Sequence, residues 1–354
     1  MTDLVPTELI IEPDLPIVDS HHHLWVLPEA TLAKMEEADS VFARKLAPVF
    51  RRCMRYLLDE FLADIKSGHN IRASVFVDAH TMYRMRGREE LRSLGEVEFV
   101  NGVAAMSASG LFGDAQICAG IVGNVDLRIG DAAEDVLAAH IQAGGGRYRG
   151  VRSTIVHDQD PTILGAGVGG PPDLLLDAGF RRGFKWLQRF GLSFDAWLLE
   201  PQLPGLIDLA RTFPDTQIIL DHVGAPIGVG RYAGGRDDRF PLWRERIHEL
   251  SRCPNVSIKL GGLGIPFGGF RSFLAQPSFS SIQLAEEWRP YVLSCIEAFG
   301  VRRCMFESNF PVDSAAGSYA ILWNAFKRIV SGSSIDEKAA LFCDTAMRVY
   351  RLNN

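Results

Sequence analysis

The sequence predicts an α/β fold in which eight parallel strands and their helices close into a (β/α)8 TIM barrel with long strand-end loops. Three observations favour it: strand-like and helix-like segments alternate, the strand-like segments number eight, and the longest Gly- and Pro-rich connections follow strands. Because α/β barrels routinely exceed 250 residues as one unit, we expect the 354 residues to form a single domain, 1–354.

The predicted strands are short apolar runs rich in β-branched residues, whereas the predicted helices are longer and more mixed. The strands are expected at 16–22, 73–79, 117–125, 148–156, 193–199, 216–222, 256–261 and 304–309. The helices are expected at 44–66, 96–106, 132–143, 173–190, 202–213, 241–251, 285–299 and 318–329. An open doubly wound sheet is the structural alternative, but the turn after its first strand normally carries glycines, and residues 20–25 contain none.

The connections are uneven in length. Long Gly- and Pro-rich segments follow the fourth, sixth and seventh strands, at 157–172, 224–240 and 262–277, whereas a return from helix to strand such as 213–215 is short. Barrel enzymes build their active sites from the loops at the carboxyl ends of the strands. The sequence therefore predicts a functional site at that end.

Composition narrows the class of partner. The formal net charge is −6, and Lys and Arg are scattered, which disfavours nucleic acid or an anionic membrane surface as the main partner and favours a small-molecule substrate. The sequence contains no apolar run of about 18 residues, so no membrane span is predicted. The six cysteines show no Cys-x-x-Cys spacing and are expected to be reduced thiols, so the predicted location is the cytoplasm. The sequence is also compatible with a homo-oligomer.

Histidines end two predicted strands. His21, His22 and His23 follow the run 15–18, and because strand side chains alternate, His21 and His23 are expected on one face and His22 on the other. Two imidazoles on one face can bind one divalent cation or polarise one substrate oxygen. His222 ends the sixth strand, two residues before Gly224, and is expected at the barrel mouth. The sequence thus predicts a site of three histidines.

Charged side chains at other strand ends could complete this site. Arg152, preferred over Arg149, lies near the end of the fourth strand and could bind a carboxylate or a carbonyl oxygen. In the eighth strand, Glu307 and Asn309 share parity and are expected to face inward, and Asp313 follows just beyond. Three weaker candidates are expected to support the site rather than react: Asp78, His80 and Asp195.

With these motifs the chain resembles the amidohydrolase superfamily, in particular the TIM-barrel branch that includes 2-pyrone-4,6-dicarboxylate lactonase and sugar lactonases. The resemblance rests on four motifs in order, at 19–23, 149–152, 221–224 and 307–312. It implies that His21, His23 and His222 bind a metal ion or a substrate carbonyl, and that Arg152 binds a substrate carboxylate or oxygen. One divalent ion, zinc, is the cofactor that it implies, although metal-independent members leave that choice open.

Two departures from the family pattern bear on mechanism. The family's eighth strand usually carries an aspartate that activates water, but this chain has Asn309, and an amide cannot accept a proton near neutral pH. Glu307, slightly favoured, or Asp313 could supply the missing carboxylate. Members with two metal ions carry a lysine on the fourth strand, which is absent here, so at most one ion is expected.

Three functions follow from this reading. The leading one is a hydrolase that opens a lactone or similar cyclic ester of a small organic acid or sugar acid. The second is a metal-dependent decarboxylase of an aromatic acid. The third is a non-catalytic ligand-binding barrel, which Asn309 makes conceivable. Turnover of lactones, compared with release of CO2 from hydroxybenzoates, distinguishes them.

Overall fold

The computed structural model describes residues 8–165 and 168–352, and its main feature is one eight-stranded parallel sheet whose strand order follows the chain. The predicted (β/α)8 barrel fold is confirmed. The strands are β1 Pro16–His22, β2 Asn70–Val77, β3 Gln116–Gly123, β4 Tyr148–Val151, β5 Ser193–Ala196, β6 Ile218–Leu220, β7 Val256–Leu260 and β8 Cys304–Phe306. The extent of the domain over 1–354 stays a prediction.

The barrel closes between β1 and the segment that follows β8. The Asp19 carboxylate accepts hydrogen bonds from the Ser308 amide at 2.9 Å and the Ser308 hydroxyl at 2.6 Å. The Asn309 amide donates to the His21 carbonyl at 2.9 Å, and the His23 amide donates to the Phe310 carbonyl at 2.8 Å. Closure therefore brings the end of the first strand against residues 307–310.

Several strands end earlier than predicted. Strands β4, β5, β6 and β8 end at 151, 196, 220 and 306, up to five residues before the expected ends. At two of these ends the backbone enters the left-handed region, with φ of 55° at His222 and 51° at Asn309, which departs from regular strand geometry. The residues at the barrel mouth thus leave the sheet in order to turn their side chains into the barrel.

Helices lie between the strands along the outside of the barrel. The helices of eight or more residues are Glu29–Glu37, Val41–Arg52, Leu58–Ile65, Leu94–Ala108, Ala133–Ala143, Ala178–Phe190, Leu203–Thr212, Arg236–Ser251, Ser281–Phe299 and Tyr319–Ile329. The last helix agrees with its predicted bounds to one residue. Others begin earlier or later than expected, and these differences have local causes.

The single helix predicted at 44–66 is wrong. The chain forms two helices there, and between them the short strand Arg55–Tyr56 pairs antiparallel with Trp25–Val26. That pairing is a long-range contact that helical periodicity does not reveal. It brings Trp25 to the barrel mouth, where its indole donates a hydrogen bond to the Cys53 carbonyl at 2.7 Å.

Three helix starts were misplaced. The helix predicted from 285 begins at 281, because the Ser280 hydroxyl and the Gln283 side chain form a capping box. The helix predicted from 241 begins at 236 and tolerates Pro241 inside it. The helix predicted from 173 begins at 178, where the Asp177 side chain caps it.

The barrel interior has a bottom and a mouth of different character. Apolar side chains fill the lower part, among them Val18, Val75, Val122 and Met305, and Tyr350 of the C-terminal segment packs against them. The six cysteines are free thiols. In the described part of the chain, no helix is both long and apolar enough to cross a membrane.

Candidate active site

A cavity of about 190 Å³ opens at the carboxyl ends of the strands, and its walls are mainly aromatic and aliphatic. It is lined by His23, Trp25, Leu27, Phe42, Leu46, Phe50, Ala79, His80, Arg152, Trp197, His222, Ile265, Phe267, Asn309 and Val312. A larger cavity of about 510 Å³ lies beside 157–159 and 173–176, and no predicted site histidine lines it. Chemistry rather than volume therefore identifies the smaller one as the candidate site.

His21 and His23 meet at the base of this cavity. Their Nε2 atoms are 3.3 Å apart, and both rings are buried. The Nδ1–H group of His23 donates to the Val77 carbonyl at 2.8 Å, which leaves its Nε2 without a proton in the neutral ring. Burial, followed by the charge of Lys259, lowers the pKa of His21 well below its ordinary value. Burial and the charge of Arg152 do the same to the pKa of His23.

Glu307 lies between His21 and His222 and contacts both rings. Its Oε1 accepts a hydrogen bond from His222 Nδ1 at 2.8 Å, and its Oε2 is 2.9 Å from His21 Nδ1. Burial alone would raise the pKa of Glu307, but the charges of His222 and His21 and the hydrogen bonds to both lower it to about 2. Burial would lower the pKa of His222, but the charge of Glu307 and its hydrogen bond to the ring outweigh burial and raise that pKa. The carboxylate thus orients two imidazoles and turns their Nε2 atoms the other way.

Backbone geometry makes room for the His222 ring. Gly262 has a φ of 63°, and a Cβ at this position would lie 2.1 Å from His222 Nδ1. A side chain at 262 would therefore displace the imidazole from Glu307. The long loop after β7 supplies this glycine, and farther along it supplies Ile265 and Phe267 to the cavity wall.

Three acceptor atoms converge where the imidazoles meet. The Asn309 amide donates through Nδ2 to Asp313 Oδ1 at 2.8 Å, which turns its Oδ1 toward His23 Nε2 at 3.3 Å. When His21 donates its Nδ1 proton to Glu307, the lone pairs of His21 Nε2 and of Asn309 Oδ1 both face the lone pair of His23 Nε2. Two nitrogen ligands of a tetrahedral zinc ion, each at about 2.0–2.1 Å, stand about 3.3 Å apart. The observed separation fits a divalent cation.

Lys259 provides a second proton arrangement. Its ammonium is 3.1 Å from His21 Nδ1, so it can donate there in place of the contact between His21 and Glu307. The His21 proton then sits on Nε2 and is donated to His23 Nε2, and no cation is needed between the two rings. The base of the cavity therefore has one tautomer suited to a cation and one suited to its absence.

Beneath the imidazoles lies a buried group of charges, which we name the floor cluster. Its members are Asp195, Asp221, Lys259 and Glu307. Lys259 Nζ is 2.8 Å from Asp195 Oδ2 and 3.0 Å from Asp221 Oδ1, and despite burial these two charges raise the pKa of Lys259. Three carboxylates against one ammonium leave two negative charges, which a divalent cation above them would neutralise.

Asp221 is a possible metal-ligating residue that sequence reasoning missed. His21, Asp221 and His222 each bring one potential ligand atom within 4.8 Å of the others. However, Lys259 already faces the Asp221 carboxylate at 3.0 Å, whereas the Nε2 atoms of His21 and His23 face each other at 3.3 Å. The geometry therefore favours the imidazoles as ligands and Asp221 as a partner of Lys259.

Asp313 is buried behind Asn309 and does not line the cavity. Besides the Asn309 amide, its carboxylate accepts a hydrogen bond from the Gly264 amide at 3.1 Å. Burial raises the pKa of Asp313 to about 7, although the charge of His222 opposes this shift. Of the two carboxylates predicted to replace the family's aspartate, Glu307 is held between imidazoles and Asp313 reaches the cavity only through Asn309.

A second set of side chains, which we name the rim group, lies at the outer edge of the cavity. Its members are Asp78, His80, Tyr83 and Arg152. Arg152 donates to the Asp78 carbonyl, is 4.0 Å from the Asp78 carboxylate, and lies over the Trp197 ring at 5.9 Å. Its side chain is 12% exposed and faces the same cavity as His23 and His222.

The predicted histidines and the other predicted site residues fall into three groups: those that line the cavity, those directly behind its wall, and His22, which points away. His23, Arg152, His222 and Asn309 line the cavity, and His21, Glu307 and Asp313 lie directly behind them. His22 points away, as predicted, and stacks on Phe61 at 4.0 Å. A lysine inside the apolar strand 256–260 was the signal for a buried charge cluster.

Comparison with known proteins finds similarity over nearly the whole chain. The family model described as Amidohydrolase matches residues 18–352. An uncharacterized protein of Sinorhizobium fredii, y4mH, is 34% identical over 96% of this chain and 99% of its own length. An L-fucono-1,5-lactonase of Burkholderia multivorans is 28% identical over 95% of this chain and 96% of its own length.

A solved structure is similar over the same extent. It is the crystal structure of an amidohydrolase from Burkholderia multivorans with bound zinc. It is 25% identical to this chain, has a TM-score of 0.70, and the match covers 95% of this chain and 99% of that one. The similarity thus extends over nearly the whole chain.

Proposed function

This chain belongs to the amidohydrolase family of hydrolases, and on that premise we propose that it opens a lactone, or a similar cyclic ester, of a sugar acid or small organic acid. The observation that carries the proposal is the convergence of the Nε2 atoms of His21 and His23 with Asn309 Oδ1 at the base of a small aromatic cavity. The lactonase relative, similar over nearly its whole length, supports the same reaction class.

The three imidazoles would act on the substrate carbonyl. We propose that His21, His23 and His222 hold one zinc ion through Nε2, which when bound supplies Lewis-acid polarisation of a carbonyl and a more acidic water. Glu307 and the Val77 carbonyl hold the Nδ1 protons, so each ring presents Nε2 in a fixed direction. In the metal-independent form, Lys259 would instead place the His21 proton on Nε2, from which a substrate carbonyl would accept it in place of His23 Nε2.

Arg152 and the aromatic walls would orient the substrate. The guanidinium can bind a carboxylate or ring-substituent oxygen in a forked geometry, and its contact with Asp78 limits its freedom. Trp25 and Trp197 offer flat apolar faces against which a six-membered ring can pack. These walls also exclude bulk water from the carbonyl.

The family's aspartate has no direct counterpart facing the cavity. Glu307, with its pKa lowered to about 2 and both oxygens against imidazoles, is suited to orienting rather than accepting a proton. Asp313, with a pKa of about 7, has suitable basicity but is separated from the cavity by Asn309. We therefore favour an orienting role for Glu307 and a role for Asp313 in fixing the Asn309 amide.

A substrate panel tests the proposal. L-fucono-1,5-lactone, other 1,4- and 1,5-aldonolactones and 2-pyrone-4,6-dicarboxylate are incubated with purified protein, and acid release is followed by a pH indicator. Hydroxybenzoates are tested in parallel for release of CO2. Turnover of at least one lactone with no CO2 release supports the proposal. CO2 release without lactone turnover would show a decarboxylase, and binding without turnover would show a ligand-binding barrel.

Metal content is measured on the same preparation. Elemental analysis of protein purified without chelator should find about one equivalent of zinc, and His23→Ala should lose it. Less than about one-tenth equivalent, with lactone turnover intact, would mean that the imidazoles contact the substrate directly.

A further inference from the structure

Proton transfer is the part of the proposed reaction that the site described above does not supply. Among the described residues that line the cavity, the titratable side chains are His23, His80, Arg152 and His222, and none is a carboxylate. His23 and His222 are turned toward the base of the cavity by their Nδ1 contacts, and an arginine stays protonated. His80 remains as a group that can both accept and release a proton.

The loop that carries His80 is held in a defined shape. The amides of Ala79 and Thr81 both donate to Glu96 Oε1 at 3.0 Å, and the His80 amide donates to Asp78 Oδ1 at 3.3 Å. His80 itself has a φ of 55°, a left-handed conformation that a histidine rarely adopts without support. Three hydrogen bonds thus fix an otherwise unfavourable backbone with the imidazole at the cavity edge.

Hydrogen-bond direction assigns the tautomer of His80. The Tyr83 hydroxyl has one proton, and it donates this proton to Asp78 Oδ1 at 3.0 Å. Its oxygen therefore accepts from His80 Nδ1 at 2.9 Å. The neutral ring is left with an unprotonated Nε2, which is 3.4 Å from Thr154 Oγ1 and 3.6 Å from Asp78 Oδ2. The side chain is 55% exposed, so this nitrogen can exchange protons with water.

We propose that His80 is the residue that moves protons in the ring-opening reaction. Its Nε2 accepts a proton from water as the water oxygen bonds to the lactone carbonyl carbon. The resulting imidazolium returns the proton to the ring oxygen as the acyl carbon–oxygen bond breaks, so one water is consumed and His80 ends neutral. This inference rests on the proposed lactone hydrolysis and adds the catalytic residue that Asn309 cannot be.

The surrounding charges suit a ring that becomes transiently positive. The groups that face His80 are Asp78 and Tyr83 on its own loop and Thr154 after β4, with Arg152 and Glu96 beyond Asp78. Burial would raise the pKa of Asp78, but the charge of His80, the hydrogen bond with Glu96 and the charge of Arg152 lower it. Asp78 therefore stays ionised at neutral pH and can stabilise the imidazolium.

The experiment compares two leaving groups. Wild type, His80→Gln and the control His248→Gln, on the outer helix Arg236–Ser251, are assayed with a lactone and with a 4-nitrophenyl ester. An alkoxide must be protonated as it leaves, whereas 4-nitrophenolate need not be. His80→Gln should lower kcat for the lactone by about 10²–10⁴-fold, with at least about tenfold less loss for the aryl ester, and should remove the acidic limb of the lactone pH profile. His248→Gln should match wild type.

The outcomes separate this inference from the proposed function. If wild type turns over the lactone, the role of His80 alone is overturned by either of two results in His80→Gln. One is an equal loss of kcat on both substrates, and the other is an unchanged acidic limb of the pH profile. No lactone turnover by wild type overturns both. If thermal melting shows that His80→Gln folds poorly, Tyr83→Phe is tested in its place, because this change removes the acceptor for the His80 Nδ1–H group. It should shift the acidic limb, and an unmoved limb would contradict the inference.

Discussion

The floor cluster and the rim group use similar residue types in opposite surroundings. Each has a fixed positive charge beside one or more buried carboxylates: Lys259 lies between Asp195 and Asp221 at the floor, and Arg152 lies beside the single carboxylate Asp78 at the rim. The floor residues are fully buried, whereas the side chain of His80 at the rim is 55% exposed. Buried contacts therefore hold the protons of the floor cluster in place, and these contacts orient the imidazoles. The His80 imidazole of the rim group can instead exchange its proton with solvent, which suits it to proton transfer.

This difference predicts that floor substitutions damage folding and imidazole geometry, and that rim substitutions change rates and substrate binding with little loss of stability. Three changes in these two groups test it, from the largest expected effect to the smallest, and a fourth change tests Asp313, which lies behind Asn309.

Lys259→Met should have the largest effect. It leaves Asp195 and Asp221 as uncompensated buried carboxylates, which should lower the free energy of unfolding by about 3–5 kcal/mol. Urea denaturation measures it. The matched control is Lys327→Met, a buried lysine that donates to the carbonyls of Ile11 and Glu12, where we expect a loss of about 1–3 kcal/mol. Equal losses at the two lysines would show that the floor charges are not specially balanced.

Glu307→Gln should weaken the site more than the fold. An amide in place of the carboxylate cannot accept from both His21 and His222, so zinc affinity and lactone turnover should each fall by about 10–100-fold. Metal competition with a chromogenic chelator measures the affinity. Glu200→Gln, a buried glutamate paired with Arg239 and Arg246, is the control and should leave zinc affinity unchanged. If both variants bind zinc like wild type, Glu307 does not orient the ligands.

Arg152→Lys should act mainly on substrate binding. A lysine keeps the charge but loses the forked geometry, so KM for a carboxylate-bearing lactone should rise about tenfold while unfolding changes little. Arg149→Lys provides the comparison on the same strand, because the Arg149 guanidinium contacts the Gly146 carbonyl away from the cavity. An equal KM effect at both positions would place substrate recognition elsewhere.

The effect of Asp313→Asn should be visible as a pH dependence of stability. The folded state raises the pKa of Asp313 to about 7, so it retains a proton that the unfolded chain releases near pH 4. The stabilisation that Asp313 gives the wild type is therefore greatest below about pH 4, and it is lost as the pH rises to about 7. Urea midpoints of chelator-treated protein should fall less over that range in Asp313→Asn. Parallel curves would mean that Asp313 does not titrate there.

Alternation of strand-like and helix-like segments was sufficient to predict the barrel, since it reflects local apolar periodicity. The same signal could not reveal the strand Arg55–Tyr56, which exists because it pairs with Trp25–Val26. It also extended β6 and β8 through His222 and Asn309, where the backbone turns left-handed so that polar side chains enter the barrel. Strand boundaries failed where the site departs from regular geometry.

Strand parity brought His21, His23 and Glu307 to one interior, because alternation fixes which face a side chain occupies. It could not indicate that Glu307 contacts two imidazoles at once, since this depends on three strands meeting. His80 was named only as a weak candidate, because its hydrogen-bond partners Tyr83 and Thr154 lie in loops whose shape the sequence does not specify.

Isotope labelling tests the central claim, that water attacks a lactone carbonyl above the three imidazoles, most directly. A lactone turned over by wild type is incubated with excess enzyme in H2¹⁸O for a single turnover, and the product is fragmented in a mass spectrometer, with His23→Ala as the background control. We predict one ¹⁸O atom in the carboxylate and product formation well above the His23→Ala control. Label in the hydroxyl group, or product formation equal to that of His23→Ala, would contradict the claim.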